Sequence, residues 1–307
     1  IGLISEIFRG LQKLLTVLVY GAVVAKIGIF QFDSRSPLVW ILAFFLYDFF
    51  YYWAHRAGHE VNLLWAAHVV HHSSEEFNLS TALRQSSTNT VFYWVFYLPM
   101  ALLGIPVTVF AITVLVSLLY QYWIHTRLIP KLGWFEWVFN TPSHHRVHHG
   151  QNKYCIDKNY AATLIIWDRM FGTFEEEREA EPVVYGVLTP LHSWDPVWAN
   201  FKNYLHIGKG LFSMPGWKSK LMLVFGPPGW SPQAGPAMVF DPASFRRFDT
   251  PAPPWQRAYG ALSCFMTLLM LVHWLMLGAD LPVAWRAAYG AVIIVNASCT
   301  AWIFARK

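Results

Sequence analysis

Nine of the 13 histidines in this 307-residue chain fall in three short clusters, and their spacing is the spacing of metal ligands. The clusters are His55-Arg-Ala-Gly-His59, His68-Val-Val-His71-His72 and His144-His145-Arg-Val-His148-His149, and a tenth histidine, His125, stands between the second and the third. Residues three and four apart lie on one face of a helix. Each HxxHH unit therefore turns three imidazoles to one stripe and can offer three nitrogens to a pair of metal ions. This gives nine candidate ligands: His55, His59, His68, His71, His72, His125, His145, His148 and His149. A tetrahedral zinc site needs only four and commonly mixes cysteine with histidine. Nine imidazoles suit two ions of five- or six-coordinate habit, with positions left for a small reactant. Imidazole serves iron, copper and zinc alike, so the residues do not choose among them. A single HxxxH arises by chance, but its recurrence with two HxxHH units argues against ordinary helix surface. His144 is read as supporting a ligand or as an alternate one, His192 and His206 as surface residues, and His273 as packing within an apolar stretch.

Ligating histidines usually give their second N–H to a carboxylate or carbonyl, so nearby acids are candidates to orient them. Asp48 precedes His55 by two helical turns and lies inside an apolar stretch, where an acid is a functional residue by default. Glu60, Asp157, Asn159 and Asp168 complete the set of polar groups expected near the clusters, while one of Glu75 and Glu76 is expected to face solvent. Arg84, Arg146 and Lys158 are candidates to neutralise an anionic lipid headgroup or to shield the site.

The elements that must carry these residues are read from composition. The chain is 55% hydrophobic, 17% aromatic and only 13% charged. A soluble domain has about 25% charged residues to cover its surface. An ordinary soluble enzyme and a disordered chain are thus excluded, and lipid is expected to be part of the solvent. The net charge of +5 comes without any polybasic run, so no nucleic-acid partner is expected. Cys155, Cys264 and Cys299 are far apart and form no CxxC pair, which argues against a disulfide framework. Position 1 is Ile rather than Met, so native residues are expected to precede it, and no cleavable signal is seen.

Apolar stretches at residues 11–30, 38–53, 91–124, 259–277 and 283–304 approach the roughly 20 residues that span a bilayer. The third is too long for one span, and Pro99, Gly104 and Pro106 are expected to fold it into a hairpin. If residues 31–37, 99–106 and 278–282 lie on one side, all but Lys26, Arg35 and Arg286 of the 23 basic residues lie on or near the other. That asymmetry predicts a cytoplasmic location for the clusters. The expected fold is all-α: a polytopic membrane helical bundle with a cytoplasmic, histidine-rich helical cap. Its parts are N-terminal transmembrane helices (1–54), a cytoplasmic segment with the HxxxH and first HxxHH motifs (55–90) and a transmembrane hairpin (91–125). A cytoplasmic cap with the second HxxHH motif and a Pro/Gly-rich linker follows (126–257), then a C-terminal transmembrane hairpin (258–307).

This pattern resembles the fatty acid hydroxylase and sterol desaturase superfamily, and within it the alkylglycerol monooxygenase branch. The likeness is carried by His55-Arg-Ala-Gly-His59-Glu60, by Leu64-Trp65-Ala-Ala-His68 and by the run from His71-His72-Ser-Ser-Glu75-Glu76 to Arg84-Gln85. It continues in Tyr120-Gln121-Tyr-Trp-Ile-His125, in Asn140-Thr-Pro-Ser-His144-His145-Arg146-Val-His148-His149-Gly150, in Tyr154-Cys155-Ile-Asp157-Lys158-Asn159-Tyr160 and in Trp167-Asp168. It covers roughly residues 38–236. The resemblance implies a membrane monooxygenase that binds two non-haem irons through these histidines and uses O2 on a lipid. For the branch it implies tetrahydrobiopterin as reductant and hydroxylation of the carbon beside an ether oxygen, giving a hemiacetal that breaks down to an aldehyde. It also suggests Glu60 as a contributor to a pterin site. Some members carry a further histidine one turn before the one matching His125. Here that position is Gln121, so one metal is expected to have one imidazole fewer.

The nearest alternative keeps the chemistry and changes the substrate: a fatty-acyl, sterol, carotenoid or aminolipid hydroxylase or desaturase fed by an electron-donor protein. A different class is a metal transporter or haem electron carrier. Transport calls for ligands deep within spans, and haem for facing pairs rather than triplets on one stripe. The expected membrane is a bacterial inner membrane or the endoplasmic reticulum.

Overall fold

The computed structural model describes residues 1–232, 240–242, 244–277 and 280–305. Parts of the Pro/Gly-rich linker (233–239 and 243) and of the last interhelical loop (278–279) lie outside the described residues. Helix α1 (Gly2–Ile27) leads into α2 (Pro37–Glu60), which starts with Pro37 in its first turn, where a missing N–H costs nothing. Short helices α3 (Asn62–Ala66), α4 (Val69–His72), α5 (Leu79–Ala82) and α6 (Asn89–Tyr93) follow. Then come α7 (Leu98–Leu103), α8 (Val107–Trp123), α9 (Pro142–His148), α10 (Ile166–Phe171), α11 (Pro196–Ser213), α12 (Trp217–Phe225), α13 (Pro254–Leu277) and α14 (Val283–Ala305). The only β pairing among the described residues is two isolated bridges, Phe139 with Leu164 and Gly150 with Tyr185.

Helices α2, α13 and α14 are long and apolar enough to cross a bilayer, and Leu15–Ile27, Asn89–Leu103 and Val107–Trp123 are shorter apolar helices. Leu262, Phe265, Leu275, Val292 and Val295 stand exposed on the last two helices, a surface that water would not tolerate and lipid does. This is an integral membrane protein of polytopic helical architecture. The long apolar run breaks where its residue types require. Pro99 opens α7, and Gly104 ends it in the left-handed conformation at φ 94°. A side chain there would collide with the Phe30 carbonyl. Pro106 then caps α8.

Tyr20, Ala43, Tyr47, Met100, Ile105, Val109 and Phe110 form the core that joins α1, α2, α7 and α8. The final hairpin packs separately on α1 through Ile7, Leu271, Trp274 and Ile293. Helix α2 does not stop at the end of its apolar stretch. It runs on through the 54/55 boundary and carries His55 and His59 on its last two turns. Gly58 lets Tyr93 lie against this end, for a Cβ there would sit 2.0 Å from the Tyr93 hydroxyl.

Candidate metal centre

The nine histidines converge as two groups. His55, His59, His68, His72 and His148 form one, and His71, His125, His145 and His149 the other; within each, one ring nitrogen per residue lies within 4.8 Å of all the rest. All nine are buried. The HxxHH units do not each serve one group. In each unit the first and last histidines, one helical turn apart, join the same group, while the middle one crosses to the other. His68 and His72 thus sit with His148, and His145 and His149 with His71. The three positions share a stripe, but the stripe is wide enough to face two centres.

Facing nitrogens are 2.9–3.2 Å apart: Nε2 of His68 is 3.0 Å from those of His55 and His72, and Nε2 of His125 is 3.2 Å from that of His71 and 2.9 Å from that of His145. His149 Nε2 lies 3.2 Å from His145 Nε2. At a metal–imidazole distance of about 2.0–2.1 Å, ligands at right angles stand about 2.9 Å apart and tetrahedral ones about 3.4 Å. Three of these edges are closer to the right-angle value and the two of 3.2 Å fall between the two, so the spacings admit five- or six-coordinate ions.

The other ring nitrogens decide the tautomers, because a carbonyl can only accept. His55 Nδ1 donates to Tyr160 O at 2.7 Å, His148 Nδ1 to Lys158 O at 2.9 Å, and His125 Nδ1 to Gln121 O at 2.7 Å. His71 Nδ1 donates to Arg84 O at 3.1 Å. With those hydrogens committed, neutral His71 and His125 present bare lone pairs to each other across 3.2 Å. Protonation is a poor remedy, since burial lowers the pKa of His71 to about 4 and that of His125 well below the usual range. Burial likewise holds His68, His72, His145, His148 and His149 neutral. His59 Nε2 and His148 Nε2 are buried without a hydrogen-bond partner. Buried polar atoms normally have partners. A cation among these lone pairs resolves the conflict, so the donor set fits a pair of metal ions.

The acids hold backbone rather than imidazole. Asp48 accepts from Thr163 N and Leu164 N at 2.9 Å and from Trp167 Nε1 at 3.0 Å. Asp168 accepts from Tyr160 N and Ala161 N at 2.8 Å and from the Thr173 hydroxyl at 2.7 Å. Burial still pushes Asp168 up to about 6. Between them the two acids pin residues 160–164 from both ends, and this aims the Tyr160 carbonyl at His55. Asp157 and Asn159 take left-handed backbone at φ 58° and 56°, so that Lys158 O turns to His148. The Asp157 carboxylate stands 3.8 Å from His59 Nδ1, too far for a hydrogen bond. Asn159 fixes the turn through His144 O, Glu175 O and Glu175 N.

Glu60 lies at the end of α2, half exposed, with its carboxylate on Arg56 Nε at 2.8 Å. His144 is outside both groups: its ring packs on Phe174, and its Nε2 is 4.0 Å from Glu136. Burial lowers its pKa to about 4. Gln121 gives its main-chain carbonyl to His125, while its amide bonds Tyr51 and Ser117. Arg84 is half-buried and donates to Val70 O and Ser73 Oγ, and Arg146 is bidentate to Glu177 and also donates to Thr126 O and Ile129 O.

Sequence reading does not single out the carbonyls of Arg84, Lys158 and Tyr160, or the rings of Trp65 and Phe77. Trp65 lies 5.1 Å from His59 and Phe77 5.1 Å from His149, between centroids. The one available signal is the pair Asp157 and Asn159, residue types that tolerate the left-handed region.

Comparison with known proteins adds relatives to this geometry. Residues 40–173 match the family model described as fatty acid hydroxylase. The chain is 47% identical over 245 residues to an alkylglycerol monooxygenase of Xenopus tropicalis, covering 78% of this chain and 54% of that protein. It is 51% identical over 204 residues to the Homo sapiens alkylglycerol monooxygenase (66% and 45%) and 52% identical over 198 to that of Danio rerio (64% and 44%). The chain thus spans about half the length of the curated relatives it matches. No solved structure matches it.

Proposed function

Because this chain belongs to the fatty acid hydroxylase family, as an alkylglycerol monooxygenase-like member, we propose that it is a membrane di-iron monooxygenase that hydroxylates a lipid C–H bond with O2, the substrate being an ether lipid and the reductant a tetrahydropterin. The observation that carries the metal reading is the His71–His125 pair, whose lone pairs face each other at 3.2 Å with both Nδ1 hydrogens already given to carbonyls.

In this reading His55, His59, His68, His72 and His148 hold one iron, and His71, His125, His145 and His149 the other. When bound, the irons supply the oxidising power toward O2 and an unactivated C–H bond that side chains lack. The chain's own part is orientation and exclusion of water. Carbonyls of Tyr160, Lys158, Gln121 and Arg84 fix four imidazoles in the tautomer that leaves Nε2 free. The rings of Trp65, Phe77 and Tyr160 line the centre and keep it dry. Helices α2 and α8 bring the ligands to the end of apolar segments, so a lipid tail stays in hydrocarbon while its polar end meets the metals. The asymmetry of basic residues supports a cytoplasmic location for this end, from which a soluble reductant would reach Glu60.

Oxidation beside the ether oxygen gives a hemiacetal, which releases an aldehyde. Purified, iron-loaded protein given a reduced pterin, O2 and an alkylglycerol is expected to form that aldehyde. If it forms none but oxidises another lipid with a ferredoxin or cytochrome, the pterin and ether-lipid assignment fails and the protein-fed hydroxylase replaces it. A Soret band, or no lipid product with any donor, would sink the oxygenase reading.

A further inference from the structure

The two imidazole groups are one arrangement used twice. In each, the end of an apolar helix offers positions one turn apart, the HxxHH unit that follows adds its first and last histidines, and the middle histidine of the other unit crosses over. His55/His59, His68/His72 and His148 fill this frame in the first group. In the second the frame reads Gln121/His125, His145/His149 and His71, so nine of ten positions are imidazole. The amide of Gln121 is committed elsewhere: Oε1 accepts from the Tyr51 hydroxyl at 2.6 Å, and Nε2 donates to Ser117 Oγ at 3.0 Å. Gln121 serves the group only through its carbonyl on His125 Nδ1.

We propose that this single replacement makes the two metal positions inequivalent. The five-imidazole group takes its ion first and more tightly. The four-imidazole group takes the second ion more weakly and keeps the coordinating position on the Gln121 side for a small exogenous ligand, a diatomic molecule or a monoanion. The proposal rests on the reading that these groups hold metal. Loss of even an outer partner of a metal ligand commonly costs about 10–100-fold in affinity, and loss of a ligand costs no less. Repulsion between two cations would also separate two binding steps, so the separation by itself is not the test; its dependence on position 121 is.

The test is titration of the metal-stripped full chain in detergent with Co2+, following its ligand-field absorption and bound cobalt by dialysis, with and without azide. Two steps of one equivalent are expected, at least about tenfold apart, with azide altering only the weaker. Gln121→His should bring the steps closer by about tenfold or more and remove the azide response. His125→Gln, which needs no new ring to fit, should abolish the weaker step and leave the tighter one, whereas His59→Gln should weaken the tighter. Two equal steps, an unchanged separation in Gln121→His, or loss of the tighter step in His125→Gln would overturn the proposal. Failure to bind even one cobalt per chain would instead overturn the metal reading on which it stands.

Discussion

The two imidazole groups are built from the same motif but held by different means. The second group is backed by nearby chain: His125 leans on the carbonyl four residues earlier and His71 on one thirteen residues later. The first mixes the two: His148 leans on Lys158, ten residues later, but its α2 end is backed from a distance. His55 donates to Tyr160, 105 residues away, and that carbonyl is aimed by a turn with two left-handed non-glycine residues and two buried acids. The lesson is that local orientation comes with the helix end itself, whereas the long-range version must be assembled by folding and is open to disruption without any ligand being touched.

The largest expected effect therefore falls on Asp48, whose hydrogen bonds go to Thr163, Leu164 and Trp167 and to no imidazole. Asp48→Ala leaves Thr163 N, Leu164 N and Trp167 Nε1 without an acceptor, at about 1–3 kcal/mol for each buried donor. Metal analysis and thermal unfolding of the detergent-solubilised variant should show lost stability and loss of metal from the five-imidazole group first. If both groups lose metal in parallel, the contrast between local and distant backing is wrong.

Asn159 separates strain from bonding. Asn159→Ala removes three hydrogen bonds and leaves an alanine at φ 56°. Asn159→Gly loses the same bonds but accepts the backbone, and should be the more stable of the two by about 1 kcal/mol. Unfolding temperatures compare them, and equal stabilities would show that the left-handed turn carries no strain.

A more general effect is that of pH. His71 has its folded pKa lowered to about 4, so the folded state binds fewer protons than the unfolded state between about pH 6.5 and 4. Stability should thus fall as pH falls through that window. Metal-free protein should unfold at progressively lower temperature from pH 7 to 5. A flat profile would mean that the imidazoles are not held neutral by burial.

Much of this centre is legible before folding. Helical spacing is local, so HxxxH recurring with two HxxHH units marks ligand stripes before folding, and Gln121 shows its departure from the pattern by position alone. What spacing does not reveal is partition. Nothing in His68-Val-Val-His71-His72 says that its middle member leaves for the other group. Nor does an acid in an apolar helix say whether it grips a ring or a peptide: Asp48 was expected near an imidazole and instead holds backbone that holds an imidazole.

The sequence by itself determined the solvent, the helical class, the breaks at Pro99, Gly104 and Pro106 and the nine rings, because each follows from composition or from contacts within a turn or two. Tertiary structure alone decided how the rings divide, which carbonyls fix their tautomers, and which protein oxygens Arg84 and Arg146 bond. Those outcomes depend on segments separated by up to 105 residues, and only packing brings such segments within hydrogen-bond reach.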